Sequence, residues 1–214
     1  MPDLPHLPDL TPNMEFSPPA SRERLERARD ALLHHRFGVE IVPGAAEAKD
    51  AVLALVPEGA EVHVALSETM KELGVTAEID GSGRYRAIRP ELLKLNRETQ
   101  RREMAKLATA PDFMLGSVHA VTEDGHLLIA SGSGSQIAPY ANGAGKVILV
   151  AGAQKVVKDI EEGLRRVREY AYPLEDARMK AAGRPGTILA QVLIMSWSPP
   201  GRVQLFLMEE PIGF

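Results

Sequence analysis

Apolar positions along the chain alternate between two periods. Leu25, Ala28 and Leu32 recur at helical spacing behind Ser21, a good helix N-cap, and the pattern stops at Gly38. "VEIV" (39–42) reads as a short strand. Ala45, Ala48, Val52 and Leu55 then mark one face of a helix, and "EVHVAL" (61–66) a second strand. "SETMKELGV" opens another helix, with Ser67 as cap and Thr69 in its first turn. "KVILVAG" (146–152) is apolar on both faces, as a central parallel strand buried between helix layers must be. Val156, Ile160, Leu164 and Val167 predict a long helix after it, and the chain closes with two apolar strands in "TILAQVLIMSW" and "RVQLFLMEE", joined by a "SPPG" turn. Strand–helix alternation of this kind predicts an α/β fold, an open and mostly parallel sheet flanked by helices, with antiparallel strands near the C-terminus.

Two segments break the pattern. The first twenty residues hold Pro2, Pro5, Pro8, Pro12, Pro18 and Pro19, so residues 1–20 read as an extended or disordered leader, or an arm packed on a neighbouring subunit. Residues 21–214 then form one domain. In "ELLKLNRETQRREMAKLATA" helix formers run throughout, yet residues 96–103 are polar without interruption. Such a helix either projects into solvent or faces something polar, which keeps Arg97, Glu98, Arg101, Arg102 and Glu103 as candidates for a site opening.

Composition narrows the function. The chain has 214 residues, 44% hydrophobic and 25% charged, enough for a sizeable core. A net charge of −4 argues against a nucleic-acid surface. The absence of cysteine excludes a disulfide framework, a thiolate nucleophile and an iron–sulfur cluster bound by this chain. No membrane-length apolar run and no signal-peptide pattern is present, so a cytoplasmic protein is expected. The six histidines show no ligand spacing, and no metal site is expected.

Candidate chemistry collects at strand ends. The glycines of "SGSGSQIAPY" allow sharp turns in which consecutive N–H groups converge on an anion, so Ser131, Ser133, Gly134, Ser135 and Gln136 form one candidate site; an ordinary turn is the alternative. In "VAGAQKVV" a buried strand runs through Gly152 to Gln154 and Lys155, read as the first turn of a helix, where a lysine opposes the helix dipole unless an anion is near. In "HAVTEDGHLLIA", Glu123 precedes an Asp124-Gly125 turn and is either an exposed flank or an acid facing the serine–glycine loop.

Together, "NRETQRREM", "APDFMLGSVHAVTEDGHLLIASGSGSQ", "VILVAGAQKVVKDIEEGLRRVREYAYPLED" and "EEPIGF" resemble the LUD-domain (lactate-utilisation protein) family, in its short single-domain branch. Where that branch has lysine in the first terminal strand, this chain has Gln191. The resemblance implies the fold of ribose-5-phosphate isomerases and CoA-transferases, which bind sugar phosphates or CoA esters at strand ends. "TEDG" is similar to the CoA-transferase Glu-Asn-Gly motif and would make Glu123 a nucleophile or general base, oriented by His119 and Thr122. The expected ligand is a small anionic metabolite of carboxylate, phosphate or CoA type, held by the serine–glycine loop with Gln154 and Lys155; no cofactor is specified. The alternative is a non-catalytic accessory subunit of L-lactate oxidation, partnered by iron–sulfur proteins. A homo-oligomer is also expected.

Overall fold

The structure, a computed structural model, describes residues 11–214. Six parallel strands make the larger sheet: β1 (Gly38–Val42), β2 (Glu61–Val64), β3 (Arg86–Ala87), β4 (Phe113–Ser117), β7 (Lys146–Gly152) and β10 (Val203–Met208), in the order β1-β10-β7-β4-β2-β3. A second sheet holds β5 (Ala120–Thr122), β6 (Leu127–Ser131), β8 (Val156–Val157) and β9 (Gln191–Met195), in the order β8-β5-β6-β9.

The alternation of β7 shows how the layers close. Val147, Leu149 and Ala151 point into a core shared with β5, β6 and helix α1 (Arg22–His34). Ile148 and Val150 point the other way, against helices α2 (Ala45–Ala54), α3 (Glu68–Glu72) and α4 (Val75–Gly81). Burial on both faces makes β7 apolar throughout, and the second sheet takes the place of one helix layer. Its outer face carries Ala120, Leu128 and Val157, covered by Tyr170, Phe16 and helix α7 (Ile160–Arg166).

Two strands connect the sheets. β4 and β7 are neighbours in the large sheet and leave it at their carboxyl ends; their chains continue into β5 and β8, which pair in parallel through Val121↔Val156 and Thr122↔Val157. Residues 118–119 and 153–155 therefore lie side by side in a seam between the sheets.

Several expectations change in detail. The two terminal strands are not partners: β9 pairs antiparallel with β6, whereas β10 lies parallel between β1 and β7. The helix expected from Val156 begins at Ile160, because Asp159 Oδ1 accepts the Glu162 N–H at 2.9 Å as its cap; Val156 and Val157 are strand. The continuous polar helix is two, α5 (Ile88–Lys94) and α6 (Arg101–Thr109), separated by a turn in which Asn96 Oδ1 accepts from the N–H groups of Glu98 and Thr99. Of the proline-rich leader, residues 1–10 lie outside the described residues. Residues 11–20 pack on the domain itself: Phe16 is buried, Asn13 N–H donates to Glu169 O at 2.8 Å, and Ala20 N–H donates to Ala153 O at 3.2 Å. Among the described residues no helix is long and apolar enough to cross a membrane.

Gly116 allows β4 to sit against Tyr140, which is fully buried. An added Cβ would overlap the Tyr140 hydroxyl and lie 3.0 Å from its Cζ and 3.1 Å from Ala65 Cβ. Gly116→Ala is expected to lower stability by about 1–3 kcal/mol through overpacking, and Tyr140→Phe in the same chain to recover part of it. Urea unfolding of the single and double variants checks both.

Candidate functional site

Lys155 occupies a 3-10 turn, Ala153–Lys155, between β7 and β8 and is 1% exposed. Its Nζ donates to Thr69 Oγ1 at 3.0 Å and to Ser117 Oγ at 2.9 Å. Thr69 arrives from the first turn of α3, whose start is fixed by Ser67 Oγ accepting the Met70 N–H. Ser117 is the last residue of β4, and its own hydroxyl donates to Val150 O at 2.7 Å. Three elements thus meet at the carboxyl edge of the parallel sheet, where ligands of open α/β folds sit.

Arg166 is the second cation of the seam and is fully buried. It reaches from α7, where Gly163 lets the helix lie against Leu128 and Ala120. Its Nε donates to Gln154 O at 3.1 Å and its Nη1 to His119 O, its guanidinium carbon lies 5.0 Å from the Tyr170 ring centroid, and its Nη2 has no hydrogen-bond partner among the described residues. Neither Lys155 nor Arg166 has a carboxylate within ion-pair distance among the described residues.

Burial and mutual repulsion show in the titration. Burial, then the charge of Arg166, pushes the Lys155 ammonium down to about 7, with Glu72 opposing. Burial lowers Arg166 to about 10, so it stays charged. His119 is kept neutral, first by burial and then by the charges of Lys155 and Arg166; its Nδ1 accepts the Ala130 N–H at 3.1 Å.

A strap of residues 210–213 covers the seam. Gln154, itself buried, clamps it: its Nε2 donates to Ile212 O at 2.8 Å and Gly213 O at 3.1 Å, and its Oε1 accepts the Ile212 N–H at 3.3 Å. Gly152 has no side chain because the strap leaves no room, with Ile212 N 2.5 Å and Glu210 O 2.9 Å from where a Cβ would stand. Gly213 packs on the Thr69 hydroxyl. A cleft of about 90 Å³ between residues 15–18 and α7 reaches Gln154, while a larger one of about 410 Å³ lies at the amino end of β2, away from the seam.

The expected site residues therefore separate into groups. Thr69, Gly152, Gln154 and Lys155 come together, with His119 beside them. Lys155 does not lie in a helical first turn, so no dipole conflict acts on it; its burial does. Glu123 is elsewhere. It accepts from Arg24 Nε at 2.5 Å and Arg27 Nε at 2.7 Å, which hold its carboxyl below the usual range against the cost of burial and tie the β5–β6 turn to α1. β6 runs from Leu127 beside that turn to Ser131, a length of roughly 13 Å at strand rise. Thr122 Oγ1 accepts the His126 N–H at 2.8 Å within the same turn.

The side chains of the serine–glycine loop bond within the loop and to the end of β6. Ser131 Oγ accepts the Gly134 N–H, Ser133 Oγ bonds Ser135 Oγ, and Gln136 Nε2 donates to Ala130 O. Arg102 and Glu103 are exposed on α6, which buries no residue. Ser117 and Arg166 were not anticipated. The signal for Ser117 was a hydroxyl at the end of the apolar run "FMLGS"; nothing in "EEGLRRVREY" distinguishes Arg166 from its solvated neighbours.

Because the Lys155 pKa is lower folded than unfolded, the unfolded chain holds one more proton between about pH 7 and the free-lysine value of about 10.4. Stability from this group is thus expected to rise with pH across that window by up to about 1.4 kcal/mol per pH unit. Lys155→Met should remove that slope. Unfolding curves from pH 6 to about 10 check it, and parallel profiles for the two proteins would contradict it.

The comparisons agree with this architecture. A crystal structure of a DUF162 family protein from Deinococcus radiodurans is similar with a TM-score of 0.55 and 19% identity, over 89% of this chain and 99% of that one, a likeness of fold. Among curated proteins none matches. The LUD domain family model matches residues 25–187, a span that holds β1 to β8 and both seam cations. The chain belongs to the LUD-domain family.

Proposed function

We propose that this LUD-domain protein binds a small anionic metabolite, a carboxylate or phosphate, at the seam, with Lys155, Thr69, Ser117 and Arg166 as its contacts. One observation carries the reading: two fully buried cations lie within electrostatic reach of each other, and neither touches a carboxylate among the described residues. Burying an unpaired charge is costly, and two of like sign more so, unless an anion joins them during the working cycle. The orphaned Nη2 of Arg166 offers such an anion a donor. Lactate and pyruvate are the first ligands to try, since the lactate-utilisation assignment of the family fits a small carboxylate.

The serine–glycine loop is not part of this proposal, because the side chains of Ser131, Ser133 and Gln136 already bond groups within the loop or at the end of β6. Entry requires residues 210–213 to move; the amide of Gln154 holds them, together with Glu72 Oε2, which accepts the Gly213 N–H at 3.2 Å, and the Ala153 N–H, which donates to Glu210 O at 3.4 Å.

Thermal unfolding in the presence of lactate, pyruvate, inorganic phosphate and CoA tests the reading. A ligand at 100 times its Kd is expected to add about 2.7 kcal/mol of stability, and Lys155→Met to abolish the gain while Ser135→Ala keeps it. No stabilisation by any of the four, or an equal gain in Lys155→Met, would contradict it.

A further inference from the structure

We propose that Lys155 forms an imine with a small aldehyde or ketone that carries an anionic group, the anion resting against Arg166. The inference rests on the anion-site reading and names the substrate class of that same site. Its ground is the division of labour between the two buried cations. Arg166 is anchored through Nε and Nη1 to the backbone carbonyls of Gln154 and His119, both in the seam, and its buried Nη2 has no partner among the described residues, an arrangement suited to holding charge. Lys155 is held differently, by two side-chain hydroxyls and no acid.

Those hydroxyls have distinct roles. The Ser117 proton is committed to Val150 O, so its oxygen can only accept from Nζ and fixes the amine in place. Thr69 Oγ1 has Lys155 as its one hydrogen-bond partner among the described residues, so its proton is available to the amine or to an oxygen bound beside it. Burial strengthens the pull of Lys155 on an anion, and it also favours the neutral form of the amine. Burial makes it a partly neutral amine near pH 7, which is what attack on a carbonyl requires. The charged groups that act on it are Arg166 from α7 and Glu72 from α3; His119, in the crossing from β4 to β5, stays neutral.

The chemistry balances without an oxidant or reductant. The Nζ lone pair attacks the carbonyl carbon, a C–N bond forms, and the carbonyl oxygen takes a proton through Thr69 to give a carbinolamine. That oxygen then departs as water with the two amine hydrogens, leaving C=N. Reversal by water releases the carbonyl compound. The strap excludes bulk water and must open before the substrate enters.

Incubation of the full chain with pyruvate and sodium cyanoborohydride, followed by intact mass and peptide mapping, tests the step. Pyruvate stands as the simplest ketone bearing a carboxylate; acetone, of equal reactivity class but uncharged, is the control. The expected product is heavier by one pyruvic acid less one oxygen atom, with the label on Lys155. Labelling should be at least about tenfold slower with acetone, a difference of roughly 1.4 kcal/mol, and faster in Gln154→Ala, whose strap has lost its clamp. Lys155→Arg should give no label. Label on Lys158 and other exposed lysines in preference to Lys155, or none at Lys155 in either the parent chain or Gln154→Ala, would overturn the imine. If pyruvate still raised the unfolding temperature in that case, the anion site would stand without the covalent step; if it did not, both would fall.

Discussion

The joint crossing of β4 and β7 from one sheet to the other is the constraint on which the rest of this structure depends. Two adjacent parallel strands end together, and their continuations pair again as β5 and β8. The six-stranded sheet can therefore share a core with the smaller sheet through Val147, Leu149, Leu127 and Ile129, and the short links between the strands are forced into one buried line. Every side chain on those links must find its partner inside the protein. Ser117 and Gln154 do so with backbone groups, and Lys155 does so with hydroxyls.

The electrostatics follow from that burial. A seam built only for stability would carry apolar side chains, because desolvating an ion usually costs more than its contacts return. This one carries Lys155 and Arg166 and leaves a guanidinium nitrogen without a partner among the described residues. Strain of this kind, placed at the carboxyl ends of parallel strands and covered by a clamped strap, is the ground on which the anion-site proposal stands. Glu123, which sequence similarity to a catalytic motif would favour, sits instead in a satisfied pair of ion pairs and joins α1 to the β5–β6 turn.

Much of the fold was legible because its strands are buried on both faces and its helices have capped starts. β7 was visible in "KVILVAG", and Ser21 and Ser67 mark two helix starts that their hydroxyls do cap. β8 was not visible, since two valines before Asp159 continue a helical period equally well, and only pairing with β5 makes them strand. The site was half legible. Gln154 and Lys155 stood out at a strand end and Thr69 in the first turn of a capped helix, but Lys155 did so for a dipole argument that the 3-10 turn removes. Arg166 could not be found, because its burial is decided by Gly163 one turn earlier admitting the second sheet, a tertiary fact.

The most direct measurement is the titration of Lys155 followed by NMR of its side-chain carbons labelled with carbon-13, assigned with Lys155→Met. The account predicts a midpoint near 7 in the free protein, rising when a small carboxylate is added, because a bound anion favours the charged ammonium. A midpoint near the free-lysine value of about 10.4 that does not respond to any anion would mean that Lys155 is an ordinary solvated cation, and the central claim would fail.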